Sequence, residues 1–394
     1  MPSQSQIPTP SAHVSRRFAL RLALFYGAVF SLVGCHLPFF PVWLRSVGID
    51  ASWIGIITAV PALTRFTALP FVTALAERYA ALRGAMVMTA FMTTLGFAIV
   101  GTQVHPLAVF LAYVFTASMW TPIVPLTDAY ALRGVARYGL SYGPLRLWGS
   151  AAFVVGALAS GLSADLVATR HLIWVIFAVA ALGGAISLAL QPLDKPSAAP
   201  AVRHGAAALL RSPGFVAIIA ASALIQGSHA AYYTFASITW QLSGLGGVTI
   251  AALWALGVLA EIVVFAASPR LTLQPSALVI IGGLSAVARW LITAQEPPLG
   301  VLALVQLTHG LTFGLTQVGI MGLMVRHVPV HVMARGQGYL AAFGGIIASI
   351  ASILSGAIFA RHGPDVYYLM AAMALLGAAV IWVERERLML SSGS

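Results

Sequence analysis

The chain has 394 residues, of which 60% are hydrophobic and only 8% charged, and its mean hydropathy is +0.93. A soluble domain of this length needs far more charge to stay dissolved, so a soluble enzyme or binding module is excluded. A formal charge of +11 would point to nucleic acid in a soluble protein, but in a membrane chain it belongs to the loops, and the single Cys35 excludes an intrachain disulfide.

A bilayer core about 30 Å thick asks for about 20 apolar residues per helix. Residues 1–15 are polar, carry Pro and Ser, and read as a disordered tail. The first apolar run is too long for a cleavable signal peptide and continues into Phe39-Phe40-Pro41-Val42-Trp43. Spans are predicted at 18–45, 52–75, 84–102, 106–132, 143–164, 171–190, 214–241, 247–268, 274–294, 299–326, 333–359 and 364–384. The longest polar stretch, with Asp194, Lys195, Pro196 and Arg203, makes 191–213 a cytoplasmic linker between bundles at 16–190 and 214–386, with a tail at 387–394. The expected fold class is an all-α membrane protein of twelve transmembrane helices in two six-helix bundles. A weak echo supports two similar halves: Tyr232-Tyr233…Trp240 ends the seventh span much as the aromatic run ends the first.

Of the 21 Lys and Arg, only Arg45, Arg170 and Arg361 fall in odd-numbered loops, and Arg65 and Arg289 fall within spans. The rest lie in the tails and even-numbered turns. This is the positive-inside pattern, and it predicts an inner-membrane protein with both termini cytoplasmic.

Ionisable groups inside a membrane are costly unless paired or wetted, so each is a candidate for function. Here they are Arg65, Asp128, Arg146, Glu261, Arg289 and His309, with His36 and His229 as weaker members. An internal ion pair that fixes helix packing is the plainer account of Arg65, Arg289 and Glu261. Pro122 and Pro125 remove backbone donors just before Asp128, which should distort the fourth span there. Across a short basic turn follows Tyr142-Gly143-Pro144-Leu145-Arg146-Leu147-Trp148-Gly149-Ser150, so Asp128 and Arg146 are expected to face each other. The alternative is that both snorkel at the surface. Glu261 is the single acid deep in the last six spans. Ionising a lone carboxyl away from water is expensive, and moving an arginine toward it or away changes its hold on a proton. His309 titrates in the useful range, though a neutral hydrogen-bonded core histidine is nearly as good an account.

With these residues in view, the chain resembles major facilitator superfamily symporters across about 18–384. Within that superfamily it is similar to the 3-phenylpropionic acid transporter group and, more remotely, to lactose permease. The resemblance rests on Pro125-Leu126-Thr127-Asp128-Ala129, Arg146-Leu147-Trp148-Gly149-Ser150, His229-Ala230-Ala231-Tyr232-Tyr233, Ala260-Glu261 and Arg289-Trp290. It implies that Asp128 and Arg146 match the permease's substrate-site pair, and that Arg289 and His309 match its ninth- and tenth-helix arginine and histidine. Glu261 lies within about one turn of its eighth-helix glutamate. Three departures argue against sugar: Phe153 stands where the permease stacks its substrate on Trp, Thr312 replaces its tenth-helix glutamate, and the loop after the second span is reduced to Ala76-Glu77-Arg78-Tyr79…Arg83-Gly84.

Proton-coupled symport of a small aromatic acid by alternating access is therefore expected. Arg146 and Arg65 would take the carboxylate, with Phe153, Trp148, Tyr232, Tyr233 and Trp120 as the apolar wall, although interface anchoring or packing explains most aromatics equally well. Glu261, His309 and Arg289 would couple the proton. A nucleoside or sugar proton symporter is the runner-up; a membrane sensor or assembly factor is the rival of another class, but no large soluble output domain supports it. No cofactor is expected beyond the proton gradient, and no nucleic-acid partner; a monomer in the bilayer is expected. No nucleophile–base–oxyanion cluster or metal-ligand set argues for an enzyme. His327 and His331 stand at helical spacing, but Pro329 between them spoils a metal pair, so both read as surface residues.

Overall fold

The computed structural model describes residues 12–193, 206–329 and 332–390. Most of the expected linker, from Asp194 to Arg203, and His331 lie outside them. By length and composition alone there are eleven candidate membrane-crossing helices among the described residues, the last being Met333–Leu388 with 56 residues. A helix of that length would be about 84 Å long, far more than a bilayer core. The chain instead folds at Gly363, whose φ is +53°, into the antiparallel helices Met333–His362 and Val366–Leu390. Twelve spans result, as expected.

The other spans are His13–Ser46, Ala51–Arg78, Leu82–Gly101, Pro106–Tyr138, Tyr142–Leu166, Thr169–Ser187, Pro213–Leu242, Gly247–Arg270, Pro275–Thr293 and Leu299–His327. Local chemistry sets their ends. Asp50 accepts hydrogen bonds from Ser52 and Trp53 N–H at the start of the second, and Pro stands in the first turn of the fourth, seventh and ninth. Left-handed Gly139 closes the fourth. Four spans are interrupted in mid-membrane: the second after Thr64, the fourth at Thr121-Pro122, the seventh at Ser228-His229 and the tenth by a π-turn at Gly310–Leu315. Irregular backbone at membrane depth is tolerated where it is covered by protein or lines a wet cavity. The first two interruptions are tied together by a 2.6 Å hydrogen bond between the hydroxyls of Thr64 and Thr121.

The apolar core is shared between the halves at one end of the molecule and divided at the other. Phe39, Trp43, Ile57 and Phe153 of the first half and Tyr232, Trp240, Trp290 and Tyr367 of the second belong to one cluster. At the basic end, where Arg16, Arg78, Arg83, Arg137, Arg211, Arg326 and Arg385 lie, each half keeps its own core. One is built around Phe18, Phe25, Met86 and Leu145, the other around Phe215, Ile320, Met324 and Leu388. The two bundles thus meet away from the basic end and part toward it.

Glycine lets them meet. A Cβ on Gly55 would stand 2.6 Å from the Ser352 carbonyl oxygen and 2.7 Å from the Gly356 Cα, so the second and eleventh spans touch backbone to backbone. Gly161 and Gly247 do the same for the fifth and eighth. Between them Thr58 hydrogen-bonds Thr234 at 3.1 Å and Ser352 at 3.0 Å. Overpacking a tight contact costs about 1–3 kcal/mol, so Gly55→Val should push the joined end apart. Ser355, fully buried one residue from Gly356, provides the measurement. In a Cys35→Ala background, a thiol at Ser355→Cys should react with an impermeant reagent about tenfold faster when Gly55→Val is added.

Candidate functional site

In the first half, Asp128 sits one turn into the helix that restarts after Pro122, half-buried. Its Oδ1 accepts hydrogen bonds from the hydroxyls of Tyr26 at 2.5 Å and Tyr142 at 2.9 Å. Arg146 does not pair with it. The guanidinium instead lies over the Phe30 ring at 3.9 Å and 5.8 Å from the centre of the Tyr26 ring. The expected face-to-face ion pair is therefore replaced by two charges held on the same tyrosine, one at its hydroxyl and one beside its ring. Gly149 makes room: a Cβ there would lie 2.7 Å from Arg146 Nη1 and 2.8 Å from Phe30 Cδ2. With Asp128 satisfied by phenols, the Arg146 guanidinium keeps its donors for something else.

The second half holds a denser cluster. Arg289 is 1% exposed. Its guanidinium donates to His309 Nδ1 at 2.7 Å, Thr312 Oγ1 at 3.2 Å and Gln306 Oε1 at 3.0 Å. It also lies 4.6 Å from the ring centre of Tyr232 and 4.7 Å from that of Trp290, and desolvated contacts of this kind are worth about 2 kcal/mol. Arginine has only donors, so His309 Nδ1 must accept, which puts the neutral imidazole's proton on Nε2. That nitrogen stands 3.8 Å from Glu261 Oε2. The cluster has no carboxylate on Arg289 itself; the nearest link to one runs through His309. The π-turn presents Thr312 to both Arg289 and His229, whose Nε2 is 3.1 Å away. Gly310, against the Ala260 carbonyl, and Gly257, against the His309 Cβ, bring the eighth and tenth spans close enough for the Glu261–His309 approach.

The two clusters face each other across the gap. Counting from the Gly161–Gly247 contact, Arg146 lies 15 residues back along the fifth span and Glu261 14 residues on along the eighth. At 1.5 Å per residue both sit about 22 Å from the junction, at one depth. Arg146 is accordingly the cation whose field reaches Glu261, whose side chain is 24% exposed. Tyr233, half-buried, lies within electrostatic reach of Glu261, Arg289 and Arg65, and Arg65 is exposed where the second span breaks. Cleft-facing charges from the second, fifth and eighth spans thus surround one space open at the basic end.

The remaining predicted residues fall elsewhere. Phe153 is buried in the shared core, its carbonyl against Gly34. Tyr232 is buried between Trp254 and Arg289 and covers the guanidinium. Trp120 stands edge-on to His36, whose Nε2 meets the Tyr113 hydroxyl at 2.9 Å. Trp148 is 61% exposed on the stripe with Val155 and Leu162, the outer face of the fifth span, turned away from Arg146. His327 Nδ1 is hydrogen-bonded to the Leu323 carbonyl, and no metal-ligand group occurs among the described residues. Sequence reasoning missed Tyr26, Phe30 and Gln306, and named Gly149 only as part of the Arg146 segment. Gln306 and Tyr26 did leave a signal, being hydrogen-bonding side chains in otherwise apolar spans.

Known proteins share this fold and much of this sequence. The chain is 32% identical to the probable 3-phenylpropionic acid transporter of Escherichia coli (strain K12) over 90% of this chain and 94% of that one. It is 29% identical to the maltose permease of Geobacillus stearothermophilus, over 92% and 94%. In structure it is similar to the nucleoside transporter NupG, with a TM-score of 0.79 at 15% identity over 96% of this chain and 99% of that one. The human organic anion transporter MFSD10 aligns with a TM-score of 0.62 at 16% identity, over 93% and 99%. The family model described as MFS_1 like family matches residues 19–370, and the chain belongs to that family of major facilitator transporters.

Proposed function

We propose that the protein is a proton symporter of small organic anions with an apolar or aromatic body, working as a monomer in the inner membrane with the basic end in the cytoplasm. One observation carries the reading of the cargo. A guanidinium in the cleft has its would-be counter-ion tied up by two tyrosines and an aromatic ring 3.9 Å beneath it. Such a group can hold a carboxylate by two parallel hydrogen bonds while Phe30 meets the cargo's apolar body. The name of the Escherichia coli relative supports the same class.

The proton belongs to Glu261 in this reading, with the His309 Nε2–H turned toward it and Arg146 across the gap. Anion bound at Arg146 cancels the charge that favours ionised Glu261, so cargo and proton favour each other. No cofactor takes part; the gradient supplies the energy. With the basic end inside, this arrangement is closed to the periplasm and open to the cytoplasm, and rocking of the two bundles exchanges the openings. A nucleoside or sugar cargo is the second reading, favoured by the structural likeness to NupG and the identity with the maltose permease.

Two measurements test this. A thiol placed at Ser197→Cys in the linker should react only from the cytoplasmic side; reaction from the periplasm would reverse the topology. In competition for the cleft of the purified protein, aryl-propionates should bind and their amides should not, because the amide lacks the charge. Equal binding of acid and amide, or preference for nucleosides, would overturn the anion reading.

A further inference from the structure

The closed end carries an acidic side chain as well as glycines and hydroxyls. Asp165, exposed near the end of the fifth span, reaches across the boundary between the halves to the first turn of the eighth. Its Oδ1 accepts from Gly247 N–H at 2.5 Å and its Oδ2 from Val248 N–H at 3.0 Å. That helix runs Gly247–Ala267, and its own preceding residue is Gly246, which has no side chain to cap it. The first N–H groups of a helix have no partner within it, and together they form the positive end of its dipole. The other half of the molecule thus supplies the cap. Gly246 and Gly247 permit it: a Cβ on Gly246 would lie 3.3 Å from Asp165 Oδ1, and one on Gly247 would run into the fifth-span backbone.

We propose that Asp165 is a latch that selects the inward-open arrangement. The bond exists only while the fifth and eighth spans touch at this end. When the bundles rock to open the periplasmic side, the carboxylate must leave the helix terminus, and both return to water. The hydroxyls of Thr58, Thr234, Ser349 and Ser352 also cross or line the junction, but each is neutral, Thr58 half-buried and the other three buried, with an acceptor in its own helix or half. Asp165 is a charge on an exposed rim, so its contribution acts on the balance of the two arrangements more than on packing. This goes beyond the choice of cargo and rests on the alternation between two openings and the cytoplasmic basic end proposed above.

The test uses the full chain in membranes with Cys35→Ala and two reporters. Ser355→Cys reads the junction from the periplasmic side. Ser150→Cys, one turn from Arg146 on the cleft side of the fifth span, reads the cleft from the cytoplasmic side. Removing hydrogen bonds to a charged group should shift the balance about tenfold. Asp165→Ala should therefore speed periplasmic labelling at Ser355→Cys and slow cytoplasmic labelling at Ser150→Cys, with Asp165→Asn between it and the parent. Unchanged rates at both reporters would overturn the latch. Faster labelling at both would mean general loosening and would overturn it as well. Labelling of Ser355→Cys only from the cytoplasm would reverse the assigned topology and leave the expected opposite movement of the two reporters to decide the latch.

Discussion

Glu261→Gln is expected to abolish accumulation of cargo against a gradient while substrate-for-substrate exchange across the membrane continues. Glutamine keeps the shape and the acceptor that faces His309 Nε2 across 3.8 Å, but it has no proton to release. Exchange needs the carrier to rock only with cargo bound, and that form already holds Glu261 protonated in the proposed cycle. Net uphill uptake needs the proton to leave inside, and no second acid lies deep in the spans of this half: the position that could share the duty is Thr312, which is engaged with Arg289 and His229. The loss of net uptake should be at least on the order of a hundredfold, the scale of removing a positioned proton-transfer group. Uptake and counterflow measured in the same vesicles separate the two activities. If Glu261→Gln still concentrates cargo, Asp128 or His309 carries the proton instead.

Arg146→Lys is expected to weaken cargo binding about tenfold or more, although it keeps the charge. A lysine ammonium offers no planar fork for a carboxylate and cannot lie flat on Phe30. The hydrogen bonds of Asp128 also bear on its part in transport. Were the two residues a static ion pair, Asp128→Arg with Arg146→Asp would restore transport. Here Asp128 is instead fixed by the Tyr26 and Tyr142 hydroxyls, so a guanidinium in its place would face two phenols that no longer have an acceptor. The swapped double variant is expected to remain inactive. Recovery of transport in it, or an affinity in Arg146→Lys close to that of the parent, would take Arg146 out of the binding site.

The span pattern was legible because bilayer thickness imposes one length on every crossing, and because charge cannot be hidden in the lipid. The predicted ends of the spans fall near the observed ones for that reason. The glycines were visible as small residues, but which of them join the halves depends on how the bundles cross: Gly55 and Gly356 are far apart in sequence and share no local motif. The charged residues of the site were legible from their cost in the membrane. Their partners were not. That Asp128 binds phenols and Arg146 binds a benzene ring follows from Tyr26 and Phe30 lying on the same face of the first span, which a one-dimensional reading does not reveal. Trp148 shows the converse limit. It is two residues from Arg146, and two residues on a helix is about 200° of rotation, so proximity in the motif placed it on the outer face.

In the proposed cycle an organic anion and a proton move together. Purified protein in proteoliposomes with no imposed gradient, given an outward-to-inward step of 3-phenylpropionate in weakly buffered medium, tests it directly. Substrate entry should raise the external pH, the rise should vanish in Glu261→Gln, and it should fall in Arg146→Lys in proportion to the lost affinity. Entry of the anion with no change in external pH, at a rate the protein accelerates, would rule out proton symport.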